Sequence, residues 1–254
     1  MALEKIHFTA NDAEKAQDAK ARLVGIYGQV SLSEADVIVP LGGDGFMLST
    51  LHASQSLPAP VYGMHQGTVG FLMNEYAEDD LPARIAAAER AEVHPLKMSV
   101  LCADGTKAEA LAINEVSLLR MGPQAAKLRI SINGRVRMDL LVCDGALVST
   151  PAGSTAYNYS AHGPILPIDA NILALTAVAA FRPRRWRGAL LPMDAAISIE
   201  VLEPEKRPVS AVADSSDVKN VVRVDIGIDA SISHALLFDP GHGLEERLLN
   251  EQFQ

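Results

Sequence analysis

Over roughly the first ninety residues, short continuous apolar runs alternate with stretches whose apolar positions recur at helical spacing. That alternation predicts an α/β layer built on a largely parallel sheet. Ile6 to Thr9 reads as a first strand. Asn11, with Glu14 three residues on, predicts a cap for a helix through Leu23, with Gly25 as its stop. Asp36 to Leu41 reads as the next strand, its Val37-Ile38-Val39 core being the kind of run that is buried on both faces. Phe46, Met47, Leu48 and Leu51 suit a helix after the glycine turn that follows. Pro60 to Met64 predicts another short strand, and Asp80 with Pro82 opens an alanine-rich helix up to Ala91.

From Lys97 the period changes to two, which marks a domain boundary. Leu128, Ile130 and Ile132 are expected to face Val136, Met138, Leu140 and Val142 across Asn133-Gly134, a pair that favours a type I′ hairpin turn. Ala103-Asp104-Gly105 predicts a second hairpin. Further strand-like runs at Ala146 to Ser149, Ile197 to Leu202, Val221 to Ile228 and Ile232 to Leu237 suggest a mainly antiparallel β domain. The expected division is 1–93, 94–232, and a tail over 233–254 packing back on the first domain. Within that tail Leu244, Leu248, Leu249 and Phe253 suit a short helix.

The chain has 254 residues, enough to bury a full core. A net charge of -9 argues against bulk attraction to nucleic acid or to an anionic membrane. Cys102 and Cys143 lie in apolar runs without C-x-x-C spacing and read as buried free thiols, in keeping with a reducing cytoplasm. Ile172 to Phe181 is the most apolar segment and is too short to span a bilayer.

Three segments carry candidate chemistry. Val39-Pro40-Leu41-Gly42-Gly43-Asp44-Gly45-Phe46 puts one carboxylate into a glycine turn between a strand and a helix start, where free N–H groups favour phosphate. Glycines there allow positive φ and close approach of a ligand. A carboxylate beside phosphate makes sense with a shared cation or as a handler of the attacking hydroxyl; the plain alternative is a capping residue. The run from Asp144 to Ser160 gathers hydroxyls, small residues and tyrosines behind a strand, suited to a sugar or a base. Equally, it reads as a Ser/Thr-rich loop before a helix near Thr155. Asn114-Glu115 is a polar pair ending an apolar run, either a binding pair or a strand end meeting solvent.

Together these segments resemble the NAD kinase family. The family pattern has a GGDG turn, a G-x-N-x-G-x-x-G-F-L segment, an N-E pair, and a D-G-x-x-x-S-T-P-x-G-S-T-A-Y block ending in S-A-x-G-P. Here these read GGDG at Gly42 to Gly45, GMHQGTVGFL at Gly63 to Leu72, Asn114-Glu115, and DGALVSTPAGSTAYNYSAHGP from Asp144 to Pro164. The resemblance implies a cytoplasmic enzyme that phosphorylates the adenosine 2′-hydroxyl of NAD to NADP with ATP or polyphosphate. It also implies a divalent metal, Mg or Mn, and a homodimer or homotetramer. By that likeness Asp44 is the general base and Gly45 gives backbone contact. Asn114, Glu115, Asp144, Thr155, Ala156, Tyr157, Asn158, Tyr159 and Ser160 hold NAD, with Ala152 and Ala179 as weaker carry-overs; no residue is assigned to the metal. The implied fold is a Rossmann-like α/β N-terminal domain with the GGDG turn plus a mainly antiparallel β-sandwich C-terminal domain, the nucleotide lying between them.

His65 stands where the family usually has asparagine and His162 where glycine is common; both read as satisfied surface histidines, with contact to phosphate or adenine as the alternative. Ala213-Asp214-Ser215-Ser216 replaces the usual A-D-G-Q. Arg182, Arg184, Arg185 and Arg187 around Trp186 are either a solvated or subunit-contact loop or a collector of donor phosphates. There is no P-loop, no G-x-G-x-x-G fingerprint and no G-x-S-x-G elbow. The rival functions are a lipid or sugar kinase sharing the turn, and an NAD-sensing module without turnover.

Overall fold

Phe8, Val37, Val39 and Leu41 are wholly buried, and their segments form neighbouring parallel strands. Ile6–Ala10 pairs with Val37–Gly42, which pairs in turn with Met64–His65. The computed structural model describes residues 5–67 and 70–241. It divides into two compact units, one built from the chain up to Val93 together with the chain from Ile232, the other being His94–Ser231.

In the first unit the helix Glu14–Tyr27 buries Ala16, Ala19 and Leu23, spaced to share one face, against the core containing Phe8 and Leu41. Full burial of a side chain such as Leu23 stabilises by about 1.5–3 kcal/mol. This helix runs through Gly25, where the expectation of a stop fails. A single glycine weakens a helix without ending it; the end comes at Gly28, whose φ of 79° leaves the helical region. The Tyr27 hydroxyl anchors the last turn by donating to the Glu78 carbonyl at 2.6 Å. Asn11 is not the cap either. Its Oδ1 accepts the Ala13 N–H at 3.2 Å, an Asx turn ahead of the helix.

The alanine-rich helix is shorter than expected, Leu81–Ala87, and Glu89–Val93 is a strand instead. It pairs antiparallel with His234–Phe238, an all-buried segment of the 233–254 stretch, whose strand-like run at Ile232 to Leu237 also stands among those that suggest the β domain. Within Pro60 to Met64 the regular strand is only Met64–His65, while Val61 bridges both Ile38 and Leu236. Buried Asn74 ties this region together: its Nδ2 donates to the Gly63 and Leu237 carbonyls, and its Oδ1 accepts the Asp239 N–H. The terminal helix expected from Gly243 to Phe253 lies outside the described residues.

The second unit is two six-stranded antiparallel sheets sharing one core. One sheet places Gly145–Ser149 between Ile172–Val178 and Glu115–Arg120, with Val209–Ala213 beyond. In the other, Leu96–Cys102, Ala126–Ile132 and Ile197–Val201 alternate buried and partly exposed residues. Asn133 and Gly134 both take positive φ, 52° and 73°, as a type I′ turn requires. The partner strand Arg135–Cys143 departs from the simple alternation. Irregularities between Leu128 and Ser131 shift the register, so Leu141 and Cys143 turn inward while Val136 and Leu140 are exposed. Cys102 and Cys143 are free and buried, and burial pushes the Cys143 thiol up to about 12, an inert thiol at neutral pH. No helix among the described residues is long and apolar enough to cross a membrane.

Candidate functional site

The buried strand Val37–Gly42 delivers Gly43 in extended backbone to the start of the helix Asp44–Ala53, with Asp44 as its first residue. A carboxylate there is favoured by the helix dipole. It is not a side-chain cap; it reaches across to the second half of the motif. Asp44 Oδ2 accepts the Phe71 N–H at 2.8 Å and Oδ1 accepts the Leu72 N–H at 3.0 Å. Gly70 approaches so closely that a Cβ on it would meet that carboxylate at 2.2 Å, which explains a glycine at this position. Each carboxylate oxygen retains acceptor capacity beyond these bonds.

None of the turn glycines uses positive φ, contrary to expectation. A Cβ on Gly42 would crowd Phe46 and Asn11 at about 3 Å, whereas one on Gly43 or Gly45 would meet no atom within 4 Å. These two glycines therefore leave room along the backbone that the fold itself does not fill. His65 is paired with Gly42 across the strands, and both of its ring nitrogens are buried without a hydrogen-bond partner among the described residues, as is Gln66 Nε2. The expectation of a satisfied surface histidine fails at this position. His162 is exposed, at φ 62°, as expected of a surface residue.

On the second unit, Asn114-Glu115 is held along both backbone edges. The carboxylate of Asp214 accepts the N–H groups of Ile113, Asn114 and Glu115 at 2.7, 3.0 and 3.4 Å. On the other edge the Asn114 carbonyl accepts the Thr150 N–H at 3.0 Å, and Thr150 Oγ1 donates to the Ile113 carbonyl at 2.7 Å. Gly153 lies against the Asn114 carbonyl, where a Cβ would come within 2.2 Å. With the backbone fixed, Asn114 Oδ1 and Glu115 Oε2 are buried and have no partner among the described residues. Buried acceptors without donors are costly, and a ligand offering hydroxyl or amine hydrogens relieves them.

Electrostatics sharpen this picture. Burial, and then the charge of Asp214, raise the Glu115 carboxyl to about 7, with the Tyr157 N–H pulling the other way. The Tyr157 phenol is pushed up by burial and by the charges of Glu115 and Asp144. Asp144 itself is paired with Arg120 Nε at 2.6 Å.

The residues from Ala152 to Ser160 form two short turns, Ala152–Thr155 and Tyr157–Ser160. Several of their polar groups are already used internally. Ser154 is buried, donates to the Pro151 carbonyl at 2.7 Å and accepts the Leu166 N–H at 3.0 Å, which suits a structural serine. Asn158 is buried as well; its Nδ2 donates to the Ser154 and Pro164 carbonyls and its Oδ1 accepts the Thr176 hydroxyl at 2.6 Å. Ala152 is buried, Thr155, Ala156 and Tyr157 are half-buried, and Tyr159 and Ser160 are exposed. Ala179 is exposed at φ 49° just beyond the strand Ile172–Val178. Arg182, Arg184, Arg185 and Arg187 are exposed, while Trp186 packs on the core of the unit. Asp44 and Gly45 belong to the first unit and all the other candidate residues to the second.

Three contributors escaped the sequence reading: Asp214, Gly153, and the Gly70-Phe71-Leu72 backbone that holds Asp44. Asp214 stands in the A-D-S-S turn, and an aspartate between two strands is a signal for a left-handed turn position. Which backbone it would bond was invisible in the sequence. Among the described residues no group of three or more His, Cys, Asp or Glu is placed to hold a metal ion.

Residues 113–237 match the family model described as ATP-NAD kinase C-terminal domain. The chain is 61% identical over 253 residues to an NAD kinase of Cereibacter sphaeroides, covering all of both chains. It is 60% identical over 249 residues to an NAD kinase of Caulobacter vibrioides, covering 98% of this chain and 96% of the relative. In fold it is similar to a yeast NADH kinase complexed with NADH, with a TM-score of 0.83 at 19% identity, covering 100% of this chain and 88% of the other. It is also similar to an NAD kinase from Archaeoglobus fulgidus in complex with ATP, with a TM-score of 0.75 at 22% identity, covering 94% and 95%.

Proposed function

Since the chain belongs to the NAD kinase family, we propose that it transfers a phosphoryl group from ATP, or from polyphosphate, to the adenosine 2′-hydroxyl of NAD, giving NADP. Asp44 accepts the proton of that hydroxyl. An ordinary carboxylate, with a pKa of about 4, cannot ionise a ribose hydroxyl in the ground state. It takes the proton as the oxygen–phosphorus bond forms, so its contribution is position more than base strength. The two N–H bonds from Phe71 and Leu72 supply that position by fixing the carboxylate plane.

In this reading Asn114 and Glu115 receive hydrogens from the nucleoside, Asp144 and Tyr157 line the same wall, and Thr155, Ala156, Tyr159 and Ser160 complete it. Asn158 and Ala152 shape the wall from behind, Asn158 through its internal bonds. Ala179 offers backbone at its edge. Gly45 and Gly43 give phosphate oxygens access to the helix start. The divalent ion implied by the family is expected to arrive on the phosphates of the donor. Assembly as a homodimer or homotetramer and a cytoplasmic location remain part of the proposal.

The observation that carries the finer reading is a carboxylate held by two backbone N–H groups at a helix start, beside glycines with open space at their Cα atoms. A coupled assay of NADP formation tests it. Asp44→Asn is expected to lower kcat by about 10²–10⁴-fold, with NAD affinity by calorimetry within about threefold of the parent protein. Equal losses in turnover and affinity would make Asp44 a binding or structural group. NAD binding without turnover under any donor would favour the sensor.

A further inference from the structure

Asp214 is a non-glycine residue at φ 47° in the turn between Val209–Ala213 and Ser216–Val218. Left-handed backbone is less favourable for such a residue than for glycine. What offsets it is visible: the three N–H groups on its carboxylate, and its own N–H donated back to the Glu115 carbonyl at 3.2 Å. A neutral turn residue would close the hairpin equally well, so the carboxylate is explained by what it holds.

We propose that Asp214 is the positioning residue for Asn114 and Glu115, fixing their backbone so that both side chains are held ready to receive hydrogens from the nucleotide. This rests on the NAD kinase reading. Three N–H groups converging on one carboxylate are charge-assisted bonds, and together with Thr150 and Gly153 on the opposite edge they leave the pair only side-chain freedom. Among the described residues, the charge acting on the Glu115 carboxyl is that of the Asp214 carboxylate, and the Tyr157 N–H donates to it; the Tyr157 phenol feels the charges of Glu115 and of Asp144, and Asp144 is paired with Arg120. Asp214 thus acts in two opposed ways. It places Glu115 correctly and, being negative, opposes its ionisation. Sugar hydroxyls donate to a carboxylate more strongly than to a neutral carboxyl, so NAD binding tightens as Glu115 loses its proton. NAD affinity accordingly rises with pH through about 7, and removing the Asp214 charge moves that rise to lower pH.

The test uses the full chain, with Asp214→Asn and Asp214→Gly as variants. Asparagine keeps the shape and removes the charge, while glycine relieves the positive φ and so protects the turn if the asparagine variant folds poorly. KM and kcat for NAD are measured between pH 5.5 and 8.5, and the Glu115 carboxyl is titrated by carbon-13 NMR without ligand. In both variants the Glu115 midpoint should fall, by about one pH unit. KM should rise by about tenfold with a smaller change in kcat, and the acidic limb of kcat/KM should move down with the carboxyl midpoint. An unchanged Glu115 midpoint, or a loss confined to kcat with KM unaltered, overturns the proposal. Should the parent protein form no NADP at all, the kinase reading fails separately, and the titration still decides whether Asp214 governs Glu115.

Discussion

Replacing Glu115 by glutamine should make the ligand-free protein more stable at neutral and alkaline pH, and only there. The folded carboxyl titrates at about 7 against an ordinary value of 4.5. Below pH 4.5 the side chain is protonated in the folded and the unfolded chain, and it costs nothing. Between 4.5 and 7 the unfolded chain releases the proton while the folded one keeps it, so stability is lost as pH rises; above 7 the loss is complete. A rise of that size corresponds to about 3 kcal/mol, a ceiling because Glu115 is not fully shut off from water. Glutamine has the same shape, stays neutral and can still accept the Tyr157 N–H. Calorimetric melts at pH 4, 6 and 8 should therefore give nearly equal transitions at pH 4 and a variant melting higher by roughly 6–12 °C at pH 8. A constant offset at every pH, or a variant melting lower at pH 8, would refute the reasoning. The same substitution should weaken NAD binding, since the strain of an ionised Glu115 is what the nucleotide relieves.

Gly153→Ala places a Cβ 2.2 Å from the Asn114 carbonyl oxygen; it should cost about 1–3 kcal/mol of stability by overpacking and raise KM for NAD, read from melts and steady-state kinetics on one preparation. In the first unit, Asp239 accepts Arg84 Nη2 and the Tyr62 hydroxyl, each at 2.5 Å, with little exposure of either charge. Asp239→Asn should lower stability by about 2 kcal/mol, seen as a lower urea midpoint at unchanged slope; an unaltered midpoint would mean the pair contributes nothing.

What the chain's own pattern determined is local. The all-buried strand ahead of Gly42-Gly43-Asp44-Gly45, the helix after it and the Asn133-Gly134 hairpin all follow from periodicity and turn chemistry, which act over a few residues. The alternation of Leu96, Met98, Val100 and Cys102 likewise announced a sheet with one face in a core. Tertiary structure decided the partners. His234–Phe238 has the same apolar pattern as a strand of the β domain, yet it pairs with Glu89–Val93, because a period reports which face is buried and not which neighbour buries it. A register irregularity turned Leu141 inward and Leu140 outward, which no alternation rule could foresee. The same holds for the polar groups: Asp44 and Asn114-Glu115 were legible as motifs, but the N–H groups that hold them come from Phe71 and Leu72 in one case, and in the other their own N–H groups meet a carboxylate a hundred residues away. Bonds of that separation form only once packing has closed the intervening loops, so their geometry belongs to the fold and not to any stretch of sequence.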